Sequence, residues 1–147
     1  MDDVEYVYTA GMDEEEIDRL LGDGGHGVLS LARDGDAYGI PLNYSYNGDR
    51  LFIRVSDEND SEKIEFARAT NSASFVVYDV IDETNSWSIF VRGTLRQLTA
   101  EEQDQFTDSV LNKRFPPFRL FDETVERVTI VIYELVPGEI VGRKTLD

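Results

Sequence analysis

Apolar and polar residues alternate along much of this chain with the period of two that is typical of β-strands. The clearest example begins at Ala37, where one side of the predicted strand carries Tyr38, Ile40, Leu42, Tyr44 and Tyr46. A second alternating run, Leu51–Val55, follows after Asn47-Gly48, and both of these residues tolerate the positive φ angles of a two-residue type I′ turn. We therefore predict a β-hairpin over residues 37–55.

Further strands are predicted on both sides of this hairpin. Asp34-Gly35 is a second two-residue turn signal, and it joins the hairpin to a preceding apolar segment. The middle of Ser72–Ile81 is apolar on both faces, which predicts a central strand that is covered on both sides. Apolar and polar residues also alternate in Met1–Gly11. This pattern predicts either a short strand or a segment that lies across the body of the domain. The other predicted strands are His26–Arg33, Trp87–Leu98 and Arg127–Val136, the last resuming at Ile140–Arg143 after Pro137-Gly138.

Three helices are predicted between the strands. Asp13 and Glu16 have the spacing of a helix N-terminal cap, and Thr99 with Glu102 forms the S/T-x-x-E capping box. The predicted helices begin near Asp13, Lys63 and Ala100 and end near Gly22, Ala69 and Lys113.

Strands joined mostly by hairpins pair in an antiparallel manner. About six strands in a chain of 147 residues favour a closed or nearly closed barrel, because closure removes exposed strand edges. We predict one domain, residues 1–147, with the helices at the periphery of the barrel. Phe115–Phe121 contains two prolines and is predicted to be irregular. Both an active-site lid and a dimer-packing loop are compatible with that segment.

The charge of the chain limits its partners. Thirty acidic and 14 basic residues give a formal net charge of −16, which argues against nucleic-acid binding because that function needs a basic surface. Only three of the basic residues are lysines: Lys63, Lys113 and Lys144. Abundant acid with scarce lysine is typical of proteins from halophiles that accumulate salt, where a Debye length of about 3 Å at molar salt makes such charge tolerable.

Several kinds of chemistry are excluded or disfavoured by composition. The chain has no cysteine and one histidine, His26, so it lacks thiolate catalysis, cysteine-ligated metals and a nucleophile–base pair. Asp57, Asn59 and Ser61 resemble the start of a calcium loop, but Glu62 replaces its glycine and we predict no metal site. No leader and no apolar run of about 18 residues is present, which leads us to expect a cytoplasmic protein without membrane contact.

The best candidate site follows the Leu51–Val55 strand. A polar run, Asp57–Lys63, leads into a helix, and a helix start with Ser61 and Lys63 beside it can hold a phosphate. Arg54 lies on the opposite face of the strand from Leu51, and its guanidinium suits bidentate phosphate binding. A helix cap with a surface lysine, and an arginine paired with a neighbouring carboxylate, are the structural alternatives.

Several segments in order resemble the flavin-binding split β-barrel family that takes its name from pyridoxamine 5′-phosphate oxidase. The resemblance lies in the following segments: Gly27-Val28-Leu29-Ser30-Leu31-Ala32, Tyr38-x-Ile40-Pro41-Leu42-Asn43-Tyr44, Leu51-Phe52-Ile53-Arg54, Ser61-Glu62-Lys63, Ala73-Ser74-Phe75-Val76 and Ser86-Trp87-Ser88-Ile89-Phe90-Val91-x-Gly93. It implies a mainly β fold, a six-stranded antiparallel split β-barrel with about three peripheral helices.

The same resemblance implies a homodimer with FMN at each subunit interface. Arg54, Ser61 and Lys63 would hold the FMN phosphate by position. Pro41, Leu42, Asn43 and Tyr44 would pass along the isoalloxazine edge and offer backbone groups and the Asn43 amide. Trp87 and Ser88 would contribute from the partner subunit. Glu62 departs from the oxidases that name the family, which carry a basic residue there, and no clear counterpart of their substrate-gripping residues near the chain end is found.

Two classes of function follow from the resemblance. The first is an oxidoreductase in which FMN mediates hydride or electron transfer to an unidentified small molecule, with no catalytic side chain identified in the sequence. The alternative is a non-enzymatic protein: a flavin store, a redox- or stress-sensing dimer, or a dimeric interaction module that has lost its cofactor. The acidic residues around Lys63 favour this alternative. The deazaflavin F420, which other split barrels bind, is the alternative cofactor. The composition predicts a halophilic archaeon as the source.

Overall fold

The computed structural model describes residues 9–57, 62–106 and 129–145. Seven antiparallel strands and three helices occupy these ranges, and six of the strands close into a barrel in the order β7-β4-β3-β2-β5-β6 and back to β7. A short strand, β1, pairs with the end of β7 outside this ring. In chain order the elements are β1 (Thr9–Gly11), α1 (Glu14–Asp23), β2 (His26–Arg33), β3 (Asp36–Tyr46), β4 (Leu51–Asp57), α2 (Glu62–Ala69), β5 (Ala73–Asp82), β6 (Asn85–Gln97), α3 (Ala100–Gln103) and β7 (Thr129–Thr145).

Two tight turns set the register of the first half of the barrel. Asp34 and Gly35 have φ angles of 51° and 84°, so the turn between β2 and β3 is the predicted one with two positive φ angles. The turn between β3 and β4 lies one residue later than predicted. Gly48 has a positive φ of 94°, whereas the φ of Asn47 is not positive. The Asn47 Oδ1 accepts hydrogen bonds from the backbone N–H groups of Asp49 and Arg50, at 3.0 and 2.7 Å.

The inner face of the barrel holds the main core. Alternation along β3 and β4 directs one set of side chains inward, and Tyr44, Ile53, Phe75, Ile89 and Val91 are almost completely buried there. Helix α1 covers one end of the barrel. Asp13 caps this helix as predicted, by accepting a hydrogen bond from the Glu16 backbone N–H at 2.9 Å.

A smaller apolar cluster lies on the outer face, where Phe52 and Ile132 pack against Leu98 and Phe106. The Phe52 and Phe106 rings meet edge to face with centroids 5.3 Å apart. This cluster fixes the residues around α3 against strands β4 and β7.

A network of ion pairs borders the same outer cluster. Glu134 of β7 accepts two hydrogen bonds of 2.9 Å from Arg50 and one of 2.6 Å from Arg96. Arg96 also binds Glu102 of α3 through two hydrogen bonds of 2.7 and 2.8 Å, and Glu102 closes the capping box with Thr99. The guanidinium of Arg50, and after it that of Arg96, lowers the pKa of Glu134 to about 2. The network therefore joins α3 to strands β6 and β7 and to the loop between β3 and β4.

A bulge between β6 and β7 allows β7 to bend around the barrel. The register shifts between Arg92 and Gly93, so that Gly138 is skipped and Pro137 pairs with Gly93. A Cβ atom at Gly93 would collide with the backbone carbonyl of Val136. The predicted break at Pro137-Gly138 is thus a bulge within one strand of 17 residues.

Two predictions about single elements were wrong. Strand β5 is not fully covered on its outer face, because the side chains of Tyr78 and Val80 there are 60% and 66% exposed. Helix α3 ends at Gln103, well before Lys113, because the chain turns at residues 104–105 and buries Phe106 in the outer cluster. The rest of that predicted helix, Phe115–Phe121 and the first eight residues lie outside the described ranges. In the ranges that are described, no helix is long and apolar enough to span a membrane.

Candidate functional site

The outer face of the barrel brings several predicted site residues into two neighbouring rows. In the first row, Arg54 of β4 pairs with Asn43 of β3, which in turn pairs with His26 of β2. Paired residues of an antiparallel ladder project to the same side of the sheet, and these three lie opposite the inward-facing Leu42, Tyr44 and Ile53. Asn43 is buried, Arg54 is half-buried and His26 is exposed. A guanidinium, an amide and an imidazole thus occupy adjacent positions.

The second row is apolar and runs across five strands. Pro41 pairs with Val28, Val28 with Val76, Val76 with Phe90, and Phe90 with Val141. None of these side chains is fully buried, and Val141 is 40% exposed. Ser88 lies two residues before Phe90 on the same outer face, and it pairs with Arg143. The outer face therefore combines a continuous apolar strip with polar groups on its flank.

Strands β3 and β4 separate beside these rows. Their ladder ends at Asn43 and Arg54, whereas β4 continues to pair with β7 as far as Asp57. The Tyr44 backbone N–H donates to the Gly25 carbonyl on the β2 side, so alternation turns the backbone groups of residues 41 and 43 toward β4. Pro41 has no N–H to leave unsatisfied at this opening, which is where proline is tolerated in a sheet. The Pro41 carbonyl faces the gap.

Helix α2 follows the end of β4. Lys63 lies in its first turn and is half-buried, while Ile64, Phe66 and Ala67 anchor the helix in the barrel core. The Phe66 ring stacks on the Tyr38 ring, with centroids 5.2 Å apart. The Arg33 guanidinium lies over the face of the Phe66 ring, with its Cζ atom 4.5 Å from the centroid. Ser61 lies outside the described ranges. The structure therefore describes only the two ends of the predicted phosphate-binding segment, which are the end of β4 at Asp57 and the start of α2 at Glu62.

The structure does not bring all predicted residues to the outer face. Leu42 is buried in the core, and the ring of Tyr44 packs edge to face on Phe75 at 5.4 Å while its hydroxyl donates to the Leu21 carbonyl at 2.7 Å. Burial, together with the charge of Asp23, raises the pKa of Tyr44 well above its ordinary value. Neither side chain reaches the outer face, and the backbone groups of both residues point toward β2.

Trp87 is also separated from Ser88. The two residues are neighbours in β6 and point to opposite faces, and Trp87 packs against the end of the main core beside Met12 and Leu20. Trp87 therefore lines a pocket next to α1 and does not belong to the outer rows.

His26 is the member of the polar row that we did not predict. The signal was present in the sequence, because the Asp34-Gly35 turn fixes the register and counting back along the hairpin places His26 opposite Asn43. Within the described ranges, no group of three or more histidine, aspartate or glutamate residues is arranged to hold a metal ion.

Comparison with known proteins gives one family and a set of similar structures. A family model described as pyridoxamine 5′-phosphate oxidase matches residues 13–144. Among curated proteins, none matches this sequence.

Three solved structures illustrate the similarity of fold. A protein from Mesorhizobium loti, described as FAD-binding, is 23% identical with a TM-score of 0.72, covering 94% of this chain and 99% of its own. The FAD-binding protein of Mycobacterium smegmatis is 18% identical with a TM-score of 0.68, covering 92% and 98%. The FAD- and haem-binding protein of the same organism is 19% identical with a TM-score of 0.71, covering 95% and 74%.

Proposed function

Because the chain belongs to the pyridoxamine 5′-phosphate oxidase family, we propose that it binds a flavin on the outer face of the barrel and is an oxidoreductase. FMN is the proposed form of the cofactor. FAD, which the names of several similar structures give as their ligand, and the deazaflavin F420 are the alternatives to compare with it. When bound, the flavin would supply hydride or electron transfer to a small molecule.

The observation that carries the proposal is the end of the β3–β4 ladder at Asn43 and Arg54. An amide and a guanidinium stand side by side there, next to a gap into which the Pro41 carbonyl points. The polar edge of a flavin ring needs donors and acceptors of this kind. Within the described ranges, β3 has no ladder partner on this side beyond Asn43, so its backbone groups there can bind a ligand without breaking a ladder bond. The apolar row beside it offers a surface for the hydrophobic part of the ring system.

We assign the phosphate to Arg54, Ser61 and Lys63. Arg54 is only half-buried and projects from the strand that leads to α2, and Lys63 is in the first turn of that helix. A guanidinium binds phosphate oxygens in a bidentate manner, and the helix start adds its partial positive charge. Asp57 and Glu62 flank this segment in the sequence, so we expect phosphate binding to benefit from high salt, which screens the repulsion between their charges and the phosphate.

We also propose a homodimer with the flavin at the interface. The apolar row from Pro41 to Val141 is partly exposed in the single chain, and a second copy of the barrel would cover it. Ser88 lies on this face beside Phe90, so the partner would contribute Ser88 to the cofactor. Trp87 points away from the face, and in our proposal its contribution is to hold β6 in place.

The test is a binding measurement on protein purified in about molar KCl, where the Debye length is about 3 Å. FMN, FAD and F420 are added separately, and absorbance is recorded after gel filtration. We expect FMN to elute with a dimer, and the Arg54→Ala/Lys63→Ala variant to bind it at least tenfold more weakly. The matched control is Arg19→Ala/Arg68→Ala, which removes the same charge from exposed helix positions. A colourless protein, or equal weakening in both variants, would refute the assigned site.

A second step separates an enzyme from a non-enzymatic binder. The flavin-loaded protein is mixed with NADH or NADPH without oxygen, and bleaching of the flavin absorbance is followed. Reduction supports an oxidoreductase. A bound flavin that no nicotinamide donor reduces would favour the flavin store or redox sensor instead.

A further inference from the structure

A second pocket lies away from the β3–β4 gap, between α1 and the ends of strands β5, β6 and β7. Its volume is about 450 Å³, within the range of small-molecule sites. One wall is apolar and is formed by Met12, Leu20, Ile81 and the ring of Trp87. This pocket is not explained by the proposed flavin site, whose residues lie on the outer face.

Two of the three charged residues around this pocket are cations, although the chain as a whole carries a charge of −16. Lys144 is bound to Glu16 at 2.6 Å, so these two charges largely neutralise each other. Arg19 is exposed and, within the described ranges, takes part in no ion pair. Of the described residues around the pocket, Arg19 is therefore the one whose cation remains available to a ligand.

Hydrogen bonds connect two strands at the polar side of the pocket. The Ser86 backbone N–H donates to the Thr145 hydroxyl at 3.1 Å, and that hydroxyl donates to the Ser86 carbonyl at 3.3 Å. These bonds tie the start of β6 to the end of β7 next to Trp87, at the polar side of the pocket.

We infer that this pocket binds a small aromatic carboxylate. The Trp87 ring and the aliphatic side chains suit a flat apolar ring, since aromatic groups stack in offset or edge-to-face arrangements. The planar fork of Arg19 matches the two oxygens of a carboxylate. A phosphate monoester carries a larger charge, and among the described residues that line the pocket the only other cation, Lys144, is already paired with Glu16. This inference does not depend on the proposed flavin chemistry.

The test uses benzoate as the probe and benzamide, which has the same shape without the charge, as its control ligand. The full chain contains one tryptophan, so its indole N–H gives a single resonance in a ¹H–¹⁵N spectrum, and Trp87 lines this pocket. Flavin-free protein in about molar KCl is titrated with each compound. We expect a saturable shift with benzoate and at least fivefold weaker binding of benzamide. No saturable shift, or equal affinity for both compounds, would overturn the inference.

Two variants test the electrostatic part. Arg19→Gln should weaken benzoate binding about tenfold and leave benzamide unchanged, because a charge-assisted bidentate bond is lost. Glu16→Gln should strengthen benzoate binding severalfold, because it releases the Lys144 ammonium, and a gain in affinity cannot result from misfolding. Arg68→Gln on α2 is the matched control and should change neither affinity. An unchanged affinity for benzoate in Arg19→Gln, or a loss in Glu16→Gln, would contradict the assignment.

Discussion

Replacing Glu134 by glutamine tests how the ion-pair network holds the outer side of the barrel. The Glu134 side chain is 12% exposed and accepts three hydrogen bonds from two guanidinium groups. Its pKa falls from 4.5 to about 2, mainly through Arg50 and then Arg96. At about 1.4 kcal/mol per pKa unit, the ionised form contributes about 3 kcal/mol to the free energy of unfolding. The Glu134→Gln variant should lose about that amount at pH 7.

The pH dependence gives the prediction a second part. The pKa of Glu134 is lower in the folded chain than in the unfolded chain, so its contribution is present above about pH 4.5. It is lost as the pH falls from about 4.5 toward about 2, because the carboxylate is then protonated in the folded state as well. The difference in stability between wild type and Glu134→Gln should therefore shrink over this range. This difference is measured by urea denaturation at a series of pH values, with unfolding monitored by circular dichroism and no salt added.

Glu139→Gln is the matched control. Glu139 lies in the same strand and pairs with Arg92 at 3.5 Å, but its side chain is 52% exposed, so the change should cost less than about 0.5 kcal/mol. Both variants reduce the net charge equally, which removes the general effect of charge repulsion from the comparison. Equal costs for the two variants, or a Glu134→Gln penalty that persists at pH 2, would refute the reasoning.

Two more substitutions test contacts in the core and at the bulge. Tyr44→Phe removes a buried hydrogen bond of 2.7 Å and should lower the free energy of unfolding by about 1 kcal/mol in urea denaturation, whereas Tyr78→Phe, which is 60% exposed, should have no effect. Equal effects would show that the bond contributes nothing. Gly93→Ala should cost about 2 kcal/mol or more, because the new methyl group meets the Val136 carbonyl, while Gly22→Ala has open space and should stabilise α1 slightly. A Gly93→Ala protein as stable as wild type in thermal melts would mean that the bulge can shift at little cost.

The order of strands and helices follows from local patterns in the sequence. Alternation locates the strands, and Asp34-Gly35 fixes its hairpin because both residues adopt positive φ angles. The next turn is displaced because the Asn47 side chain bonds to the loop backbone and takes no central turn position, a competition that residue type alone does not reveal. The capping box correctly starts α3, but it carries no information on where that helix ends.

The site was less predictable than the fold, for a physical reason. Alternation alone shows that Leu42 and Tyr44 face the core while Pro41 and Asn43 face outward, so a motif of consecutive residues always mixes the two faces. The apolar middle of β5 predicted cover on both faces, but apolar residues do not show whether their cover comes from the same chain. The juxtaposition of Asn43 with Arg54 and His26 depends on register across three strands, which becomes visible only when the hairpins are counted together.

The length and position of β7 have a consequence for the order of folding. This strand forms ladders with β1, β4 and β6, and in each ladder its partner lies far earlier in the chain, as for Leu51 with Leu135. The hairpins between β2, β3 and β4 are local and can form early, but the ring stays open, with its core in contact with water, until the final strand has arrived. Such a topology has a high contact order, and chains of this kind fold in milliseconds to seconds. On the ribosome the nascent barrel therefore remains incomplete until the residues of β7 have left the exit tunnel, and its open edges at β4 and β6 are the surfaces that a chaperone would shield until then.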